Sequence, residues 1–216
     1  LLFSEGFRGS AEGRLNYEFF FPGTLAMILL FTAIFATISI IEDRNEGFLQ
    51  SVLIAPLPRW SMVLGKVLGG TLLALLQAGI FLALGLATID LNVSPLGLIG
   101  TMVLMAIVGF ALSGLGFLIA WRMESTQGFH AIMSVLLLPM WLLSGSFFPQ
   151  DHGLMAWIAA LNPLTYGVAG LRQILQSTTE GTPSPALCWS VSIAFAAVTF
   201  GLSCRIAASR TRGDLL

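Results

Sequence analysis

The sequence predicts an all-α protein that crosses a membrane several times. Of its 216 residues 56% are hydrophobic and only 10% are charged, where a water-soluble domain carries roughly a quarter. The mean hydropathy is +0.88, and the apolar residues gather into charge-free runs of about twenty, the length needed to cross the hydrocarbon as a helix. Such a chain cannot cover itself with a water-facing surface, so lipid is its main solvent. Its 23 glycines, scattered through apolar sequence, suit membrane helices, where neighbouring helices compensate for backbone irregularity. A net charge of -1 without a Lys/Arg cluster offers no track for a phosphate backbone and excludes nucleic acid as a partner.

Residues 1–18 are polar and charged. They lack the basic start and apolar centre of a signal peptide, and because the chain opens at Leu1, further sequence is expected upstream. The first span is expected over 19–41, ending at Glu42-Asp43-Arg44. A second is expected over 61–89, with Lys66 snorkelling from its first turns. A third, over 96–121, follows the turn signal Asn92-Val93-Ser94-Pro95. The fourth and fifth are expected over 131–148 and 186–204, and a tail, 205–216, carries Arg205, Arg210 and Arg212.

One apolar stretch, 153–175, differs from these. It is split by Asn162-Pro163, and each half is too short to span. It reads as a re-entrant or interfacial helical hairpin, with apolar contacts from Met155, Trp157, Ile158, Leu161 and Leu164. Trp157 and Tyr166 suit headgroup depth, and Arg172 is expected to snorkel toward lipid phosphate.

Loop cations set the orientation. Arg44, Arg59, Lys66, Arg122 and the three tail arginines fall on one side; Arg8, Arg14 and Arg172 fall on the other. The first side is therefore cytoplasmic, with the tail inside, the first residue of the chain outside and the hairpin external. A cytoplasmic start would require one more span upstream.

The connection between the first two spans is the most informative stretch. Asp43 followed by Glu46 resembles a capping box, which predicts a short helix over 43–57. Phe48, Leu49, Val52 and Leu53 then share one face, and Pro56 with Pro58 ends it. Spacing alone is equally compatible with a knob for a cytoplasmic partner and with a helix resting on the headgroups.

The run Glu42-Asp43-Arg44-x-x-Gly47-Phe48-Leu49-x-x-x-Leu53-x-Ala55-Pro56, continuing through Pro58-Arg59 to Leu64-Gly65-Lys66, resembles the cytoplasmic signature of ABC-2 type permeases, particularly the daunorubicin-resistance type. Phe21-Pro22-Gly23, Leu143-Ser144-Gly145-Ser146-Phe147-Phe148-Pro149 and Leu161-Asn162-Pro163-Leu164-Thr165-Tyr166 agree with it in the same order. The resemblance implies the transmembrane domain of an ABC exporter, normally of six helices, the first of which this chain lacks. It also implies that Glu42, Arg44, Glu46, Gly47, Phe48, Leu49, Val52, Leu53 and Pro56 belong to a coupling helix that docks on an ATPase subunit. Trp157, Asn162, Pro163 and Tyr166 would fall in the family's external re-entrant hairpin. Implied partners are the ATPase, a second permease copy and membrane lipids, in a bacterial plasma membrane.

The chain cannot supply the ATPase activity itself. Gly65-Lys66 is its only Gly-Lys pair, Val67 stands where a phosphate-binding loop needs Ser or Thr, and Trp60 replaces the first glycine. Ser113-Gly114 and Ser144-Gly145 lack the preceding glycine of a rhomboid-like nucleophile motif. His130 and His152 have no Cys, Asp or Glu at ligand spacing. Cys188 and Cys204 stand roughly 24 Å apart if helical, beyond disulfide reach. No cofactor, metal or catalytic constellation is therefore expected. Gly65-x-x-x-Gly69, Gly109-x-x-x-Ser113 and Gly116-x-x-x-Ala120 permit close helix approach. With no charge deep in a span, an ion-coupled carrier is disfavoured. The abundance of Leu, Phe, Met, Ala and Gly suits a drug, lipid or polysaccharide precursor. A non-transporting scaffold that recruits a partner through the same short helix is the alternative.

Overall fold

A computed structural model describes residues 12–48, 58–88, 93–146, 154–176 and 182–209, and among these there is helix and no strand. Helix α1 (Glu12–Phe35) passes through a 3-10 turn at Ala36–Ile38 into α2 (Ser39–Asn45). Then come α3 (Arg59–Thr88), α4 (Pro95–Ala120) and α5 (Thr126–Trp141), which ends in a π turn at Leu142–Ser146. Two shorter helices, α6 (Leu154–Leu161) and α7 (Pro163–Gln176), precede α8 (Pro185–Ser209).

Five helical stretches are long and apolar enough to cross a membrane: Phe19–Asn45, Arg59–Thr88, Pro95–Ala120, Thr126–Gly145 and Pro185–Ser209. They are the five expected spans, with ends moved where a helix runs on into polar sequence. The first continues through Glu42-Asp43-Arg44 and stops at Gly47, whose φ of 76° is the left-handed conformation favoured just past a helix end. Asp43 therefore sits inside a helix, and the capping box read at Asp43 and Glu46 is not formed. The short helix expected over 43–57 resumes only at Phe48; Leu49, Val52, Leu53 and Pro56 lie outside the described residues. The fourth span starts earlier than expected because the Ser125 hydroxyl accepts from Gly128 N at 3.1 Å, capping it within polar sequence. Ser94, with Pro95 at the first helical position, caps α4 in the same way.

Helix α4 is the hub, packed against α1, α3, α7 and α8. Lipid is as apolar as leucine, so helix association there rests on close packing rather than on escape from water. Glycines provide it. A Cβ on Gly116 would lie 2.7 Å from Thr37 Oγ1 and 3.1 Å from Ile34 Cα, and one on Gly114 2.8 Å from Thr199 Oγ1. One on Gly70 of α3 would meet Ser113 Oγ at 2.8 Å and Ala33 O at 3.2 Å. Ser203 Oγ of α8 adds a hydrogen bond to Gly114 O at 3.1 Å. Gly109, Ser113, Gly116 and Ala120 are thus packing positions, whereas Gly65 and Gly69 are exposed with nothing within 4 Å. Helices α5 and α8 are the least covered spans: 22% of each apolar window is buried, against 56% for α4.

Gly116→Ala should therefore cost about 1–3 kcal/mol through overpacking and lower the apparent melting temperature in detergent, while Gly69→Ala leaves it unchanged. Equal effects would contradict the close α1–α4 seam.

Candidate functional site

The polar chemistry lies at the two ends of the bundle. At the end where α1 and α2 finish and α3 begins, Asp43 pairs with Lys66, and Lys66 Nζ also donates to Ser39 Oγ at 3.2 Å. Lys66 is thus tied into an α2–α3 contact instead of snorkelling outward. Arg44 points the other way. Its guanidinium donates to Trp121 O at 2.8 Å and to Met123 O at 3.0 Å and lies 5.4 Å from the centre of the Trp121 ring. These carbonyls follow the C-terminus of α4, where the helix provides no donors for them and a cation is favoured. Arg59, at the first position of α3, does the same for α8, donating to Ala207 O at 3.0 Å.

Glu42 and Glu46 are exposed, and Phe48 is 57% exposed just beyond the Gly47 turn. Of the nine residues assigned to coupling from sequence, Glu42, Arg44, Glu46, Gly47 and Phe48 thus come together at this end. Sequence reasoning gave Asp43 a capping role and Lys66 a snorkelling one, and missed their pairing, Ser39, Trp121 and the α8 tie of Arg59. No local signal connects Arg59 to Ala207; only the fold does.

At the opposite end the broken segment lies against the starts of α1, α4 and α8. A Cβ on Gly167 would meet Val108, one on Gly170 would meet Leu104, and Gly97 faces Ile174. Helix α7 therefore runs antiparallel along the first turns of α4, with Pro163 at its deep end. Val108 lies roughly 20 Å along α4 from Pro95 at about 1.5 Å per residue.

The break is built from side chains. Asn162, 9% exposed, accepts from Leu164 N at 3.1 Å through Oδ1 and donates to Met140 O at 2.5 Å through Nδ2. It caps α7, with Pro163 in the position where a missing N–H costs nothing, and ties the cap to α5. The last carbonyls of α6 are taken by α7: Thr165 Oγ1 donates to Ala159 O at 2.8 Å and Tyr166 Oη to Ala160 O at 3.0 Å. Leu164 is buried, whereas Trp157 (76%) and Leu161 (84%) project outward with Ile158 at the margin.

Arg172 corrects an expectation. Its guanidinium turns inward, donating to Gly145 O at 3.1 Å and Phe19 O at 3.5 Å and stacking 4.2 Å above the Phe19 ring. Burial lowers its pKa, yet a guanidinium stays charged. Gly145, at φ 78°, turns its carbonyl to this cation. Trp141 Nε1 donates to Gly23 O at 2.9 Å, tying α5 to the Pro22-Gly23 stretch of α1. His130 sits among rings, 5.3 Å from Phe35 and 6.5 Å from Phe129. Cys188 and Cys204 share α8 as free thiols. A groove of about 690 Å³ between α3 and α4, lined by Leu72, Leu76, Ile80, Leu86, Leu98 and Met102, offers hydrocarbon contact and no polar recognition.

A bundle of five apolar spans, with charge confined to its ends, defines an integral membrane protein. The sequence profile of the ABC-2 type transporter family matches residues 1–175, so the chain belongs to that family of membrane transport components. It is 29% identical over 169 residues to "Probable multidrug ABC transporter permease YbhR" of Escherichia coli (strain K12), covering 74% of this chain and 44% of that protein. It is 25% identical over 181 residues to "Linearmycin resistance permease protein LnrN" of Bacillus subtilis (strain 168), covering 82% and 46%. "Nodulation protein J" of Rhizobium leguminosarum bv. viciae is 26% identical over 191 residues, covering 86% and 71%. The chain thus spans less than half the length of the first two of these relatives.

Asn162→Leu removes both bonds and strands a buried carbonyl, so it should destabilise by about 1–3 kcal/mol. Asn162→Asp, which keeps the acceptor for Leu164 N and loses the donor to Met140 O, should fall between it and the wild type in apparent melting temperature. A wild-type value for Asn162→Leu would show that the cap is dispensable.

Proposed function

We propose that this chain is the membrane-spanning permease subunit of an ATP-binding-cassette exporter, moving an amphipathic or lipid-like molecule such as a drug, lipid or polysaccharide precursor with ATP hydrolysed by a separate subunit. The observation that carries the reading is the end of the first span. A helix held by Asp43 and Arg44 stops at Gly47 and presents exposed Phe48, within the stretch whose sequence resembles the family's coupling helix. Family membership and the permease names of the two relatives support it.

In this reading Glu42, Arg44, Glu46, Gly47, Phe48, Leu49, Val52, Leu53 and Pro56 form the surface that meets the ATPase, and two permease copies assemble with two ATPase subunits. The cation distribution makes this end cytoplasmic, in a bacterial plasma membrane, with 1–18 outside and 205–216 inside. Helices α6 and α7 then form an external re-entrant hairpin. Trp157 faces lipid or headgroups, Asn162 and Pro163 form the buried break, and Tyr166 closes the end of α6. No charged residue lies deep in a span, which suits a substrate sorted by hydrophobicity and shape.

Phe48→Asp or Leu53→Asp should abolish co-purification of the ATPase subunit and export while leaving membrane insertion intact. Undiminished association would contradict the docking role. Cysteines introduced near Asp151 should react with a membrane-impermeant reagent in intact cells, and those near Glu46 should react only after lysis; the reverse pattern would invert the topology.

A further inference from the structure

We infer that Asp43, Arg44, Arg59 and Lys66 are positioning residues that join α1, α3, α4 and α8 into one lever, so that a push on the connection between Asn45 and Arg59 moves four spans together against α5. The inference rests on the export reading and goes beyond it by naming which side chains pass the displacement on, and to which helices.

The connection enters the bundle at two points, and each is tied to a helix that is not its neighbour in sequence. On the entering side, Asp43 pairs with Lys66 of α3, and Arg44, one residue on, holds the carbonyls of Trp121 and Met123 beyond the end of α4. On the leaving side, Arg59 holds Ala207 O in the last turn of α8. Every span except α5 is therefore reached by an ion pair or a guanidinium close to where force would enter. Charge-assisted bonds to helix-end carbonyls are directional and short, so they transmit displacement that loose side-chain packing would absorb.

Helix α5 differs. Among the described residues its polar ties to other helices lie at the other end, where Trp141 donates to Gly23 O and Asn162 to Met140 O; its flank, like that of α8, is largely uncovered. Its start follows the short loop whose Met123 carbonyl Arg44 pins. The lever thus has a fixed pivot beside the first turn of α5 and its long arm at the far end of the bundle. If the four ties served only to stabilise the fold, removing one would lower stability without changing how far α5 moves when ATP binds.

The test uses the complex of this chain with its ATPase in lipid nanodiscs, Cys188 and Cys204 replaced by alanine and the labelled chain diluted with unlabelled chain. Nitroxide labels at exposed Leu76 and Ile193 report a distance within the lever, and labels at Leu76 and exposed Val135 a distance from lever to α5. Electron–electron resonance is recorded without nucleotide and with ATP and vanadate. In the wild type the Leu76–Val135 distance should shift and the Leu76–Ile193 distance should hold. In Lys66→Asp and in Arg59→Gln the shift should be lost, with the ATPase still bound and hydrolysing at the wild-type rate. The charge swap Asp43→Lys with Lys66→Asp should restore it. Should Lys66→Asp assemble poorly, Asp43→Asn is read in the same way. A full shift in the uncoupling variants, no shift in a hydrolysing wild type, or a swap that restores nothing would overturn the lever and leave the export reading standing. A wild-type chain that brings down no ATPase would sink the export reading and the lever with it.

Discussion

A helix that ends in or beside hydrocarbon leaves its last carbonyls without partners, and in the absence of water each must find a donor in the protein. The fold depends on how that demand is met. Arg44 serves the end of α4, Arg59 the end of α8, Thr165 and Tyr166 the end of α6, Asn162 a carbonyl of α5 and Arg172 the carbonyl of Gly145. In each case the donor belongs to another helix. Local side chains would have satisfied the same groups without joining elements; here each cap is also a cross-link.

The two ends use this device differently. Where Asp43 and Lys66 stand, the donors are charged and reach across the bundle, and hydrogen bonds to charged groups contribute about 1.5–3 kcal/mol each. At the other end Arg172 is the charged donor among those described; the Asn162, Thr165, Tyr166 and Trp141 bonds are neutral, each contributing about 0.5–1.5 kcal/mol. An element held by several weak neutral bonds can exchange them at modest cost. The broken pair α6–α7 is such an element.

Much of this was legible beforehand. A span announces itself by some twenty apolar residues regardless of what it packs against, so the five spans could be read directly, and the break at Asn162-Pro163 was visible because proline cannot donate a backbone bond. Helix ends were less legible, since a helix does not stop where hydrophobicity does: α2 runs on through Glu42, Asp43 and Arg44, and α5 begins in polar sequence at Thr126. The capping box misled because Asp43 and Glu46 have the right spacing, while Gly47 makes the same residues a helix end. Of the candidate site, the cluster from Glu42 to Phe48 was found through its resemblance to a family signature. Arg172 and Arg59 were misjudged or missed because a charge in sequence does not reveal which distant carbonyl lacks a donor.

The glycine seams add a second asymmetry along α4. Toward its end near Arg44, the groups that a Cβ would meet are stiff: the β-branched Thr199 beside Gly114, and Thr37 with the Ile34 backbone beside Gly116. Toward its start the contacts are mixed: Leu104 beside Gly170 is an adjustable side-chain end, whereas Val108 beside Gly167 is β-branched. Backbone and β-branched contacts yield little, whereas a leucine can change rotamer. The contacts nearest the connection are therefore stiff throughout, while toward the broken helices Leu104 can yield by changing rotamer. Under the export reading, a displacement applied at Asp43 and Arg44 would cross the stiff contacts at Thr37 and Thr199 with little loss before it reached the Leu104–Gly170 contact between α4 and α7.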